Sequence, residues 1–292
     1  MARRRPSTVH GVAVVDKPAG ITSHDVVDVL RRRLGERRVG HAGTLDPDAT
    51  GVLVVGVGQA TRLLRFVSGS TKRYTGEVVL GIETSTLDAS GEVTASHDMV
   101  AVSIDDAQQA AAALTGHILQ VPPMVSALKV GGVRLHQLAR QGVDVQRQAR
   151  PVTVSRFDVH RTDDEGVLAI DVECSSGTYI RTLAADLGRL LGGGAHLRQL
   201  RRLAVGSFDI SESGPIDECE LLPVAAAVRD LDHVVVDDAT AALIANGRVL
   251  PAWSGDGPWA VSGPDGHLLA VYERIGAGEA KPSVVLAAEV NR

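Results

Sequence analysis

One carboxylate in this sequence stands in a setting suited to chemistry. Asp46 lies within Gly40-His41-Ala42-Gly43-Thr44-Leu45-Asp46-Pro47-Asp48-Ala49-Thr50-Gly51. The glycines permit tight turns and close approach of a ligand. Pro47 fixes its own φ and biases Asp46 toward an extended backbone. A carboxylate held stiffly in a glycine-flanked loop is a way to present a nucleophile or a general base. The same residue could equally cap a turn or a helix. Asp46-Pro47-Asp48-Ala49-Thr50 also fits the D-x-D-x-T pattern of phosphatases that form an aspartyl phosphate. Those motifs follow directly from an apolar strand, and Gly40 to Thr44 is not one. A calcium loop of the EF-hand kind would need Glu where Val57 stands. The ten histidines show no H-x-x-x-H spacing, so zinc has little support and no metal is expected.

Aromatic and cationic residues form a second group. The chain has only 3 Tyr, 3 Phe and 2 Trp, yet Tyr74 follows Lys72-Arg73 and Tyr179 stands two residues before Arg181. Aromatics beside cations suit a site that stacks bases and holds phosphates, with stacking contributing about 1–3 kcal/mol per base. Each tyrosine could also be a core residue whose hydroxyl finds a partner.

The elements that must carry these residues can be read in order. Val9 to Val15 reads as a strand, and Asp16-Lys17-Pro18-Ala19-Gly20 as its closing turn. Ser23 is expected to cap a helix to about Leu34, with Gly35 as its stop. Val39 to Gly51 reads as a loop, Val52 to Val57 as a buried strand and Ala60 to Val67 as a helix. Lys72 to Leu80 alternates like a strand, and Ser103 caps an alanine-rich helix over about Ile104 to Leu114. An irregular segment opens at Pro122-Pro123, followed by a short helix from Arg134 to Arg140. Val152 to His160 and Val167 to Cys174 read as strands, and Tyr179 to Leu191 as a helix stopped by three glycines. Composition shifts near Leu222–Asp232, and the rest suits a small β-rich appendage with one short helix, Ala239 to Ala245. Strands and helices mix without a regular βαβ rhythm. The expected class is therefore α+β, with a mixed or antiparallel sheet and flanking helices.

Length and composition bound the rest. At 292 residues, 44% hydrophobic and 22% charged, the chain fits an ordinary globular protein of one large domain or two unequal ones. No apolar run approaches the roughly 20 residues of a membrane span, and no apolar signal core follows the basic Met1 to Pro6. Cytosol is the expected compartment, with Cys174 and Cys219 as buried free thiols. The net charge of −5 is unevenly spread. Residues 1–73 hold 13 Lys and Arg against 6 Asp and Glu, whereas residues 206–292 hold 5 against 14. A polyanion would meet the N-terminal part. Arg31, Arg32, Arg33, Arg37 and Arg38 are either phosphate contacts or a solvated helix face.

The loop around Asp46 also resembles something specific. G-H-A-G-T-L-D-P-D-A-T-G-V-L looks like the catalytic motif of the TruB-type tRNA pseudouridine synthases. D-K-P-A-G-I-T-S-H-D-V-V at Asp16 to Val27 looks like that family's opening motif. K-R-Y at Lys72 to Tyr74, P-P-M-V-S-A-L-K at Pro122 to Lys129, S-G-T-Y-I-R-T-L at Ser176 to Leu183 and L-R-R-L-A-V-G at Leu200 to Gly206 follow in family order. Together they cover most of residues 9–210.

The resemblance implies a pseudouridine synthase fold over 1–230, with a tRNA-gripping insertion near 122–150, and a small PUA-like domain over 231–292. It implies an isomerase that converts uridine 55 in the T loop of tRNA to pseudouridine. The target base leaves its stack, the glycosidic bond breaks with the help of Asp46, and a carbon–carbon bond replaces it. By resemblance Tyr74 lies against the flipped uracil and Arg181 pairs with Asp46, keeping it ionised. Tyr179 and Leu200 line the uracil pocket, Lys17 is a basic residue near it, and His41 packs among opened T-loop bases. The partner is the T arm or elbow of tRNA, the expected state is a monomer, and no cofactor is implied. Two departures stand out. The C-terminal segment is acidic where the family carries an RNA-binding domain, and Val125 stands where many relatives have an aromatic. A non-catalytic module that merely grips the tRNA elbow is the other reading of the same motifs.

Overall fold

The computed structural model describes residues 7–126, 128–135, 138, 141, 143 and 145–286. They form two compact units. The first takes the chain up to Pro47, Gly51–Gly69 and the chain from Val205 onward; the second takes Asp48–Thr50 and Ser70–Ala204.

The first unit begins with β1 (Gly11–Lys17), two residues later than the apolar run suggested. Helix α1 (Ser23–Leu34) follows, and its cap is Thr22 rather than the expected Ser23. The Thr22 hydroxyl accepts from the Asp25 amide at 3.1 Å and the Asp25 carboxylate accepts from the Thr22 amide at 2.8 Å, a reciprocal capping box. Ser23 is thereby released for another task. Gly35, at φ 61°, takes the left-handed turn that ends the helix.

Part of the expected loop over 39–51 is a strand, β2 (Val39–Ala42), paired antiparallel with β3 (Thr50–Val57). Two glycines in β2 and its exit hid the short pairing from a reading based on periodicity. β3 also pairs antiparallel with β1, with Val15 opposite Leu53 and Lys17 opposite Gly51. The next expected helix is split into a 3-10 turn, Gly58–Arg62, and α2 (Leu64–Gly69).

The second unit contains β4 (Lys72–Leu80), the ribbon β5 (Ile82–Thr84) and β6 (Val93–Ser96), and α3 (Ile104–Ala113). Ser103 caps α3 as the sequence predicts, with Asp106 completing the box. Then come β7 (Gly116–Gln120) and the small ribbon β8 (Lys129–Val130) and β9 (Val133–Arg134). The helix expected over 134–140 falls largely outside the described residues, and Arg134 itself ends β9. β10 (Arg150–Arg161), β11 (Val167–Cys174), α4 (Ile180–Leu190) and β12 (Ala195–Val205) complete it. Its strands lie in the order β12-β4-β11-β10-β7. β4 and β11 pair antiparallel, with Tyr74 opposite Val172 and Gly76 opposite Ile170. Alternation along β11 buries Leu168, Ile170, Val172 and Cys174.

The chain then returns to the first unit with β13 (Phe208–Asp209) and β14 (Leu221–Leu222), the latter on the outer edge of β1. A five-stranded sheet follows, built from β15 (Asp232–Val235), β16 (Leu250–Pro251), β17 (Trp259–Ser262), β18 (Leu268–Ile275) and β19 (Glu279–Val285). It packs with α5 (Asp238–Ala245) around Trp259, Tyr272, Ile244 and Val261. The β-rich character expected of this segment is what is seen. Both cysteines are buried and free. Among the described residues, no helix is long and apolar enough to cross a membrane.

Candidate active site

In the first unit the site residues gather at the turn that carries Asp46. The turn leaves β2, which holds His41 opposite Val55, and returns through β3. Three groups from the segment after β1 hold it. Lys17, fully buried, donates from Nζ to the carbonyl of Pro47 at 2.8 Å, and to those of Ile21 at 2.7 Å and Pro18 at 2.8 Å. The Gly20 amide donates to the same Pro47 carbonyl at 3.0 Å. Ser23 Oγ accepts from the Leu45 amide at 2.8 Å and donates to the Leu45 carbonyl at 3.0 Å. Residues on both sides of Asp46 are thus tied to one neighbouring segment. The brace depends on a buried ammonium that gives hydrogen bonds to three carbonyls. Lys17, expected beside the substrate, is seen here as a clamp on the turn.

The arginines near this region divide. Arg31 donates to Asp28 Oδ1 at 2.9 Å and to the Val39 carbonyl at 3.0 Å, and Arg33 donates to the Ile216 carbonyl at 2.6 Å and to that of Cys219. These two serve the fold. Arg32, Arg37 and Arg38 are exposed.

In the second unit three expected residues lie on two elements. Tyr74, 7% exposed, stands on β4, and Tyr179 and Arg181 open α4. Leu200 lies on β12. A Cβ placed on Gly76 would stand 3.5 Å from Leu200 Cδ1, so Leu200 lies over the face of β4 that Tyr74 shares with Gly76.

Arg181 is 5% exposed and richly bonded. Its Nη1 donates to Asp88 Oδ2 at 2.9 Å and to the Thr86 carbonyl at 3.2 Å, and its Nη2 to the Val125 carbonyl at 2.9 Å. The family resemblance pairs this guanidinium with Asp46, and the structure adds Asp88, a residue that no motif marks. Burial pushes the Asp88 carboxyl up, but hydrogen bonds from Ser90 and Thr86 and the charge of Arg181 outweigh it, and its pKa lies below the ordinary value. The signal that could have found Asp88 was the cluster Thr84-Ser85-Thr86-Leu87-Asp88-Ala89-Ser90, hydroxyls spaced to satisfy one carboxylate.

A second missed residue is Gln120, 2% exposed at the end of β7. Its Oε1 accepts from the Tyr179 amide at 2.8 Å and its Nε2 donates to the Tyr179 carbonyl at 3.1 Å. The side chain imitates one rung of a β ladder and fixes the backbone just ahead of Arg181. Nothing in its spacing foretold this.

Nearby, Lys72 and Arg202 are both buried. Burial, aided by Arg202, pushes the Lys72 ammonium down to about 8, and burial pushes the Cys174 thiol up to about 11.

Comparison with known proteins supplies a family. Residues 31–180 match the TruB family pseudouridylate synthase (N terminal domain), residues 181–235 the tRNA pseudouridylate synthase B C-terminal domain, and residues 231–287 the tRNA pseudouridine synthase II C-terminal family. The tRNA pseudouridine synthase B of Arthrobacter sp. (strain FB24) is 48% identical over 298 residues, covering 95% of this chain and 96% of that protein. The protein of the same name from Mycobacterium tuberculosis (strain ATCC 25618 / H37Rv) is 44% identical over 280 residues, covering 93% and 94%. Among solved structures, a Cbf5-Nop10-Gar1 complex contains a chain similar at TM-score 0.73 and 25% identity, over 95% of this chain and 84% of that one. An H/ACA RNP bound to a substrate RNA containing 2′-deoxyuridine shares the fold at TM-score 0.71, with 22% identity over 96% and 86% of the two chains.

Proposed function

Because the chain belongs to the TruB family of pseudouridine synthases, and is an isomerase of that kind, we propose that it acts on uridine 55 in the T loop of tRNA with Asp46 as its indispensable carboxylate. The shared name of its relatives, tRNA pseudouridine synthase B, supports tRNA as the substrate. The braced turn around Asp46 is the observation that carries the reading.

The reaction breaks the bond from ribose C1′ to uracil N1, turns the freed base and joins C1′ to C5; a proton then leaves C5 and N1 gains one, so the product is an isomer of the substrate. Electrons balance within the nucleotide, so no redox partner or cofactor enters, and no metal is required. The target uridine is drawn out of its stack at a cost of a few kcal/mol. Its ring lies on the Tyr74 phenol, with Tyr179 and Leu200 around it. Asp46 acts as an ionised carboxylate, and attack on C1′ or on the uracil ring makes the same demand of it. Arg181 supplies the positive charge that keeps Asp46 ionised, and Asp88 in turn orients Arg181. Lys17 acts on the turn rather than on the base. His41 packs among bases of the opened loop, and the segment near 122–150 grips the T arm. The catalytic domain takes residues 1–230 and the PUA-like domain 231–292. The enzyme works as a cytoplasmic monomer, with its acidic C-terminal domain adding little to RNA affinity.

Pseudouridine mapping by mass spectrometry, in unmodified tRNA incubated with the protein, tests the reading. The wild type yields pseudouridine at position 55. Asp46→Asn yields none while still binding tRNA, and full activity in that variant would end the proposal. A protein that binds the elbow but never releases tritium from C5-labelled uridine would be the non-catalytic module instead.

A further inference from the structure

Among the described non-glycine residues only Leu87 and Gln199 have positive φ, 64° and 54°. Neither is a residue type that favours the left-handed region. Each immediately precedes a residue of the site: Leu87 comes before Asp88, and Gln199 before Leu200. The segments that carry them are also joined. The Leu197 amide donates to the Leu87 carbonyl at 3.0 Å, and the Ala89 amide to the Leu197 carbonyl at 3.0 Å. β12 is therefore pinned to the Asp88 loop at Leu197 and kinks two residues later.

The neighbouring strand is shaped to receive the kink. Gly76 on β4 has no Cβ, and one added there would stand 2.7 Å from the Gln199 carbonyl oxygen and 3.5 Å from Leu200 Cδ1. A distance of 2.7 Å to backbone oxygen is too short for any Cβ, so β4 and β12 would have to part. Tyr74 stands two residues from Gly76 on the same face of β4, with regular pairing to β11 across both positions. Local strain of this kind survives where the surroundings impose it, and it collects at functional sites.

We propose that the left-handed turn at Gln199, admitted by the missing Cβ of Gly76, is a positioning device that sets Leu200 over the Tyr74 face and so fixes the gap into which the uracil enters. This rests on the reading that Tyr74 and Leu200 line the uracil pocket. The backbone of Gln199 performs the task, not its amide, which is exposed. Substitutions at 199 therefore rank by tolerance of positive φ, with glycine and asparagine above alanine, and alanine above valine.

The test uses the full chain and an unmodified tRNA transcript. Single-turnover tritium release, tRNA affinity and the thermal midpoint are measured for Gln199→Gly, Gln199→Asn, Gln199→Ala, Gln199→Val, Gly76→Ala and Leu200→Ala. Gly76→Ala and Gln199→Val are expected to slow the chemical step by about 100-fold, the scale of a 1 Å misplacement, with tRNA affinity changed by less than about threefold. Gln199→Asn and Gln199→Gly keep most of the rate, and in Gln199→Gly a role for the amide side chain would not allow it. A wild-type rate in folded Gln199→Val overturns the inference. So does equal loss across the whole series at 199. Should Gln199→Val not fold, the order glycine, asparagine, alanine still decides, since a flat or reversed order is fatal. Leu200→Ala separates the two levels. If it turns over normally, the pocket reading itself is wrong; if it is slow while the 199 series is flat, only the positioning device is.

Discussion

Each unit buries a cation beside candidate site residues, and the two cations are held differently. In the first, Lys17 donates to three carbonyls around the Asp46 turn. In the second, Arg181 donates to the Asp88 carboxylate and to the carbonyls of Thr86 and Val125. A compact ammonium can sit in a cage of carbonyls that converge from several directions. A planar guanidinium needs partners arrayed in its own plane. The first arrangement fixes a backbone and leaves the neighbouring carboxylate to be presented. The second fixes the cation itself, the group proposed to keep Asp46 ionised.

If that contrast is right, the two cations fail differently. Arg181→Lys is expected to lower the single-turnover rate by about 100-fold or more, because an ammonium cannot reach Asp88 and both carbonyls together. Tritium release with saturating enzyme measures it, and a near-normal rate would mean that charge alone suffices. Lys17→Met should lower the rate by about tenfold and stability by about 2 kcal/mol, three carbonyls losing their donor while a buried charge is also removed. Urea unfolding alongside the rate assay checks both. Loss of rate without loss of stability would return Lys17 to the substrate.

Gln120→Leu sharpens the contrast on the Arg181 side. It removes two hydrogen bonds to the Tyr179 backbone and should cost about 1–2 kcal/mol, with a rate reduced severalfold. An unchanged rate would show that α4 needs no such tether.

The smallest effect concerns Lys72, a buried cation with no assigned part in the chemistry. Its pKa when folded, about 8, is below its ordinary 10.5, so between these values the folded chain holds fewer protons than the unfolded one. Its destabilising share is therefore complete below about 8 and fades as pH climbs to 10.5. The urea-midpoint difference between Lys72→Met and wild type should narrow across that window. Making the comparison in a Cys174→Ala background removes the opposite slope of Cys174, whose raised pKa favours the folded state below 9.0 and loses that benefit toward 11. A constant difference would refute the assignment.

Much of this arrangement was legible beforehand, and unevenly. The strands β4 and β11 and the helix α3 follow from alternation and capping, which are local properties, and the structure places them within a residue or so of expectation. Thr22 and Ser23 exchanged roles because either can cap a helix, and only a bond to Leu45, 22 residues on in sequence, selects between them. β2 was hidden because a four-residue pairing needs its partner in view before it reads as a strand.

The amino-acid order alone determined which residue types the family chemistry has at its disposal, and in what sequence they occur: Asp46 before proline, Tyr74 after two cations, Tyr179 and Arg181 at a helix start. These are statements about composition within short windows. Tertiary structure alone decided that Lys17 braces a turn, that Asp88 and Gln120 serve Arg181 and Tyr179 from 93 and 59 residues away, and that Gly76 makes room for Gln199. Each of those is a contact between distant segments. No local preference encodes such a contact, because it exists only once the intervening chain has been packed.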